Sequence, residues 1–225
     1  MSIADMTPDA WEELAWLQQI FAAEYSGPGH VVREILPVDY PAYVRILHSF
    51  ARASDTGSLR SWASMAAEIG FELHAETSHQ TLMKAELATG PRQWVTQHGR
   101  LRASEQRALS GILAGVSGAS EVYFGYLTSA DAAGGLPEFT TAAPLDQLDD
   151  VRKQVGEEVG IRNGPDYWCP RGHAWVVCSD HDLASTYVAC SEEVAKAIVA
   201  HPDLEALDVT PDTRIDFASD QPRPA

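Results

Sequence analysis

The apolar pattern of this chain changes character near residue 120, and that change limits the possible folds most strongly. Before it, apolar residues recur at helical spacing in Ser61–Ile69, Ser78–Leu87 and Ser104–Val116. After it, aromatic and β-branched runs such as Glu121–Leu127 are typical of buried strands. This segregation predicts an α+β fold, with a helix-rich N-terminal half packed on a mainly antiparallel sheet from the C-terminal half.

Several further elements follow from local patterns. Tyr40, Tyr43, Val44, Leu47 and Ala51 fall at i, i+3, i+4, i+7 and i+11, which predicts a helix that begins at Asp39. Residues 144–159 carry a looser helical pattern, and Ser191 is expected to cap a last helix. The expected strands outside residues 121–127 are His30–Ile35, His173–Ser179, Ser185–Cys190 and Arg214–Phe217.

The chain is expected to form a single domain over residues 1–217, followed by a disordered tail over residues 218–225. No Pro-rich or charged linker divides it, and 225 residues are enough to bury a sizeable core. The N-terminus lacks the basic and apolar regions of a signal peptide. No apolar run approaches the roughly 20 residues that span a bilayer, so we expect a cytoplasmic protein without a membrane segment.

Acidic residues outnumber basic ones by 32 to 16, which gives a formal net charge of −16. A phosphate backbone would be repelled by this field, so nucleic acid is not an expected partner. A basic protein, a metal ion or a cationic ligand would be attracted instead.

Residues 168–191 hold all three cysteines and two histidines, and they allow a zinc site as one interpretation. Cys169, His173, Cys178 and His181 together offer two thiolates and two imidazoles for a tetrahedral site. However, a straight strand through residues 173–179 would separate His173 from Cys178 by about 16 Å, on opposite faces. The stretch therefore favours a β-hairpin without a metal or other cofactor, and zinc stays as the alternative.

Two catalytic interpretations also use this stretch. His181 stands between Asp180 and Asp182 and could act as a general base. Cys169 could be a thiol nucleophile if His173 folds back towards it. Turn chemistry alone explains the acidic residues beside His181, and buried packing alone explains the cysteine.

A binding role requires an exposed loop before the hairpin and an exposed turn within it. The expected contact residues are Tyr167, Trp168 and Arg171 of the loop and Asp180, His181 and Asp182 of the turn. A different kind of protein, a small-ligand binder, would use the aromatic residues Tyr123, Phe124 and Tyr126.

Two segments resemble known families. The segment Leu36–Val44, with its LP-x-x-Y pattern, resembles the helix start of the SUKH superfamily of immunity proteins. The block Tyr167–Val188 resembles a family of actinobacterial proteins with a W-x-P loop, an AW-V strand and a D-L-x-x-TYV strand. The SUKH resemblance implies a helix-plus-sheet domain that binds a partner protein without catalysis. The chain departs from that family at Leu47–Phe50, where an Asn-Gly pair is common.

The first hypothesis is therefore a non-catalytic acidic protein-binding factor, immunity-type or regulatory, and the acidic charge favours a basic partner protein. The alternatives are a zinc- or thiol-dependent enzyme centred on Cys169, His173, Cys178 and His181, and the small-ligand binder. The sequence leaves the identity of the partner and the oligomeric state open.

Overall fold

The computed structural model describes residues 12–21, 30–90, 93–118, 121–127, 139–158, 160–161 and 164–221. A seven-stranded sheet comprises β1 (Ala42–Leu47), β5 (Glu121–Tyr126), β6 (Phe139–Pro144), β7 (Tyr167–Pro170), β8 (Val176–Cys178), β9 (Ser185–Cys190) and β10 (Ala206–Val209). A three-stranded sheet comprises β2 (Phe50–Arg52), β3 (Asp55–Arg60) and β4 (Trp94–Val95). The helices are α1 (Leu17–Phe21), α2 (Trp62–Glu68), α3 (His79–Thr89), α4 (Ala103–Ser117), α5 (Leu148–Glu158) and α6 (Glu192–Val199).

The large sheet runs β10-β1-β9-β8-β7-β5-β6, and all neighbouring strands are antiparallel. The predicted α+β class and antiparallel pairing are thus confirmed. The sheet nevertheless draws on both halves of the chain, because β1 pairs with both β9 and β10.

Strand β1 replaces the helix that the spacing predicts from Asp39. Val44 and Ile46 belong to the core on one face of the sheet, while Tyr43 belongs to the core on the other. A strand that is buried on both faces shows a continuous apolar run instead of an alternating one. Such a short run also fits helical spacing, so the pattern alone misassigned it.

Both faces of the large sheet are covered. Helices α4, α5 and α6 pack their apolar residues on the face that carries Val44, Phe124 and Trp168. Leu14, Leu17 and a short 3-10 turn at residues 32–34 cover the opposite face. A third apolar cluster joins helices α2 and α3 and strand β2 to the end of β1. The small sheet is thereby attached to the large one.

Three helices begin directly after a serine that caps them. Ser61, Ser78 and Ser191 each accept a hydrogen bond on the side-chain oxygen from a backbone N–H of the first helical turn. Gly70 follows α2 at a φ of 66°, a left-handed conformation that glycine commonly supplies at the end of a helix.

Three predicted strands differ from the structure. Of His173–Ser179, only residues 176–178 form a strand, and His173 lies before it at a φ of 52°. His30–Ile35 and Arg214–Phe217 form one isolated bridge, Val31 to Arg214, instead of two strands. Of the predicted disordered tail, residues 218–221 are held in place, because the Ser219 hydroxyl donates to the Glu76 carbonyl (2.6 Å). Residues 222–225 lie outside the described part of the chain.

The helices of the described ranges include none with the length and apolar character needed to cross a membrane.

Candidate functional site

The predicted binding loop is largely buried. Tyr167 and Trp168 belong to β7, with 0% and 3% of their surface exposed, and Trp168 packs edge-to-face on Trp175 at 6.1 Å. Arg171 is exposed, but its guanidinium donates to the Tyr123 hydroxyl at 2.5 Å. Tyr167 and Trp168 therefore stabilise the core of the sheet, and they offer no surface to a partner.

The aromatic residues of the small-ligand hypothesis are buried as well. Tyr123, Phe124 and Tyr126 all belong to β5 and have no exposed surface. Burial raises the pKa of the Tyr126 hydroxyl far above its usual range. These side chains fill the two cores on either side of the sheet.

The four residues of the predicted zinc site do not converge. The His173 N–H donates to the Pro170 carbonyl at 3.0 Å, whereas the His181 N–H donates to Asp166 Oδ1 at 3.2 Å. Asp166 and Pro170 lie at opposite ends of β7, about 13 Å apart at the usual rise of a strand. Zinc ligands must all lie within roughly 2.0–2.3 Å of the metal. Among the described residues, the only group of three or more potential ligands with atoms within 4.8 Å of one another is Asp180, His181 and Asp182, so the four predicted residues do not form one site.

The cysteines are unsuited to nucleophilic chemistry. All three are free and buried. Burial raises the pKa of the Cys169 thiol to about 12, and it raises the pKa of Cys178 well above the usual range. A thiol that stays protonated at neutral pH is a poor nucleophile and a poor metal ligand.

The predicted turn, in contrast, lies at the surface and is held from below by Asp166. This carboxylate is 3% exposed. It accepts the Leu127 N–H on Oδ2 (2.6 Å) and the His181 N–H on Oδ1. The Asp166 carbonyl also accepts the Ser179 N–H at 2.7 Å. Such bonds to a buried carboxylate are stronger than neutral ones, so they fix the backbone of the turn.

Gly99 supports the turn from the other side. Its φ is 63°, and a Cβ at this position would lie only 2.5 Å from the Cα of His181. The Gly99 N–H also donates to the Leu183 carbonyl at 2.9 Å. Only glycine permits both this conformation and this close approach of the two backbones.

His181 is surrounded by carboxylates. Its Nδ1 lies 3.4 Å from Asp166 Oδ1 and 3.9 Å from Asp180, and its Nε2 lies 3.7 Å from Asp182. The interaction with Asp166 raises the pKa of His181 to about 9, although partial burial opposes the shift. The ring is therefore protonated at neutral pH, which makes it unsuited to the predicted role of general base.

The same turn contains the atoms of a possible cation site. Ligand atoms of Asp180, His181 and Asp182 all lie within 4.8 Å of one another. A metal ion would have to displace the proton that Asp166 stabilises on His181. An organic cation, which donates hydrogen bonds to carboxylates and accepts none, therefore fits the turn better than a metal ion does.

Beside this turn lies a cavity of about 450 Å³, here called the acidic cleft. Its carboxylates are Glu34, Asp180, Asp182 and Asp216, and His30 also lines it. Its apolar lining is formed by Ile20, Ile35, Leu183, Ile215 and Phe217. The volume falls within the range of about 300–1,000 Å³ that is typical of ligand sites.

The charges of the acidic cleft are unevenly compensated. Asp216 is paired with the buried Arg214 at 3.2 Å, and Glu34 contacts His30 at 2.9 Å. The side chain of Asp182 is 76% exposed, and burial raises the pKa of Asp180, which is only 21% exposed. Because two carboxylates of the turn share one His181 cation, the cleft keeps a net negative charge.

Sequence reasoning identified one wall of the acidic cleft and missed the others. Asp180 and Asp182 are among the predicted binding residues, whereas Glu34, Asp216 and Phe217 are not. The two segments that carry the missed residues are joined by a hydrogen bond from the Ile215 N–H to the His30 carbonyl (2.8 Å). A possible signal was Phe217, an aromatic residue in an acidic segment, which is 55% exposed.

Comparisons of this chain with protein-family models, with curated proteins and with solved structures find no match. The two family resemblances of the sequence therefore stay predictions.

Proposed function

We propose that this chain is a non-catalytic cytoplasmic binding protein that receives a basic side chain of a partner protein in the acidic cleft. The observation that carries the proposal is the combination of four carboxylates with an apolar lining in one cavity of about 450 Å³. Arginine and lysine match this combination, because each has an aliphatic stem and a cationic end. A nucleic acid does not match this lining, because its backbone is negatively charged.

The exposed ring of Phe217 favours arginine over lysine. A guanidinium can stack on an aromatic face while its N–H groups donate to neighbouring carboxylates. Asp182 is available for such a contact, since most of its side chain is exposed. The net charge of −16 would also increase the rate at which a basic partner associates.

The alternative of a zinc- or thiol-dependent enzyme has less support. His181 is protonated, the thiols are buried, and the four candidate ligands are divided between the two ends of β7. The SUKH resemblance, which implies partner binding without catalysis, agrees with the proposal as a prediction from sequence.

The test uses the tripeptide Gly-Arg-Gly as a probe, with Gly-citrulline-Gly as its neutral control. Binding is followed by ¹⁵N–¹H NMR. The arginine peptide is expected to shift amide signals of residues 30–35, 180–183 and 215–217 with a millimolar dissociation constant, because so small a ligand buries little surface. The citrulline peptide should bind at least about fivefold more weakly, since it cannot form ion pairs worth roughly 1 kcal/mol.

Charge variants then identify the site. Asp180→Asn/Asp182→Asn should weaken binding of the arginine peptide about tenfold, because each removed ion pair contributes roughly 0.2–1 kcal/mol. The amide oxygen of the variant can still accept the Asp182 N–H, as Asp180 Oδ1 does at 2.8 Å. Asp203→Asn/Asp208→Asn removes the same charge from exposed positions outside the cleft and should have little effect. Equal binding of both peptides, or equal loss in both double variants, would contradict the proposal.

A further inference from the structure

Arg152, in the middle of α5, is a buried guanidinium with an unsatisfied N–H group. Its side chain is only 9% exposed. Its Nη1 donates to Gln106 Oε1 and lies 3.7 Å from Asp149 Oδ1. Its Nη2 is buried and has no hydrogen-bond partner among the residues that the structure describes. A buried N–H of a charged group is costly when it is left unpaired, so its presence points to a ligand.

Arg152 lines a narrow crevice, here called the arginine crevice, together with Arg100, Gly99, Gly164 and Trp168. The enclosed space measures about 10 Å³, which is enough for one water molecule or one oxygen atom of a larger ligand. Glycine at position 164 keeps this space open. A Cβ there would lie 3.7 Å from Arg152 Nε and 3.7 Å from the Gly99 carbonyl oxygen.

The arginine crevice is positively charged within an acidic protein. Burial and the nearby charge of Arg100 lower the pKa of Arg152 to about 10, so the guanidinium is still charged at neutral pH. Asp149 offsets part of this charge, but its side chain is 68% exposed and lies on the Nη1 side. The residues that line the crevice include no acidic side chain that could pair with Arg100.

We propose that Arg152 and Arg100 bind a small oxyanion, a carboxylate or a phosphate, with one of its oxygens inserted in the arginine crevice beside Nη2. Guanidinium groups form strong charge-assisted bonds to both kinds of anion. The rest of the anion lies outside the enclosed space, next to Arg100. This site is separate from the acidic cleft and does not depend on the function proposed for it.

The experiment titrates the intact protein with sodium phosphate, sodium acetate and, as control, sodium chloride at matched ionic strength. NMR signals of the Gly99 and Gly164 amides and of the Arg152 Nε–H group report on the crevice. Phosphate or acetate is expected to shift all three signals saturably, and chloride is not. The melting temperature should rise by about 2–4 °C when the free anion is at about five times its dissociation constant, which corresponds to roughly 1 kcal/mol.

Two variants keep the test falsifiable. Gly164→Ala fills the space beside the guanidinium at ordinary contact distance and should abolish the saturable shifts without unfolding the protein. Gly111→Ala, whose Cβ would meet nothing within 4 Å, is the matched control and should bind like the unmodified chain. Arg100→Gln should weaken binding by about two- to fivefold, because Arg100 contributes an exposed ion pair worth roughly 0.2–1 kcal/mol.

Phosphate and acetate distinguish the two sources of the oxyanion, and saturable binding of either supports the proposal. Two results would overturn it. One is the absence of saturable shifts with both anions, which would mean that water alone occupies the crevice. The other is unchanged binding in Gly164→Ala, which would place the anion elsewhere on the protein.

Discussion

The protonated state of His181 should make the stability of this protein depend on alkaline pH. The pKa of its imidazole rises from 6.5 to about 9 on folding, mainly through Asp166. That difference of about 2.5 units would correspond to roughly 3.4 kcal/mol at 1.36 kcal/mol per unit. Since 31% of the side chain is exposed and the contact is 3.4 Å long, solvent screening reduces the expected contribution to about 1–2 kcal/mol.

The sign follows from the direction of the shift. A group whose pKa is higher in the folded protein stabilises the fold fully below its unfolded pKa, here 6.5. This stabilisation is lost as the pH rises through about 9. His181→Gln removes the titrating group while keeping a polar side chain of similar length, so the variant should lose less stability than the unmodified chain across this window.

The assay is urea unfolding at pH 6.0 and pH 9.5 at constant ionic strength, for the unmodified chain and for His181→Gln. The unmodified chain should lose about 1–2 kcal/mol more than the variant between these pH values. The three buried thiols also titrate in alkali, but both proteins contain them, so their effect cancels in the difference. His201→Gln, two residues after the end of α6, is the matched control and should behave like the unmodified chain. Equal losses in all three proteins would refute the assignment of a protonated His181.

Three further predictions concern Gly99, the buried thiols and the buried His48. Gly99→Ala should destabilise the protein by about 3 kcal/mol or more in urea unfolding, because its Cβ would collide with the backbone of the turn, whereas Gly70→Ala, at φ 66° in open space, should cost only about 1 kcal/mol. The thiols should not react with Ellman's reagent until the protein unfolds, and rapid native labelling of Cys169 would restore the thiol-enzyme hypothesis. His48, fully buried with its pKa lowered by burial to about 4, should cause a loss of roughly 3 kcal/mol as the pH falls from 6.5 through 4, and His48→Gln should show a shallower acid dependence.

The elements that the sequence predicts correctly depend on local chemistry. A serine before each of three helices and the aromatic run of β5 are signals that act within a few residues. Strand β1 was misassigned because its burial on two faces is a property of the sheet that surrounds it. Arg45 illustrates the same point, since this buried arginine lies within 5.1 Å of the Trp62 ring centre, and no local pattern predicts that contact.

In the candidate site, too, the residues that could be predicted are those that depend on local chemistry. Asp180 and Asp182 were predictable, because acidic residues in a hairpin turn are usually exposed. For Tyr167 and Trp168 the predicted loop is wrong. A Trp beside a Cys-Pro pair is typical of a loop, but here these residues form a strand that pairs with β5 and β8. Glu34 and Asp216 join the site only through a backbone contact between two irregular segments. Such contacts leave no periodic signal in the sequence.

The turn at residues 180–182 separates two sites of opposite charge. Gly99 and Ser179 line the arginine crevice, whereas Asp180 and Asp182 line the acidic cleft. A substitution at Gly99 would displace the wall that both sites share, so its effect on ligands could not be assigned to either. Changes confined to side chains separate them: the double asparagine variant removes charge only from the cleft, and Gly164→Ala fills only the crevice. If both ligands favour the same conformation of the turn, phosphate should increase the affinity for the arginine peptide, and by linkage the peptide increases the affinity for phosphate by the same factor. A factor of one would mean that the turn does not couple the two sites.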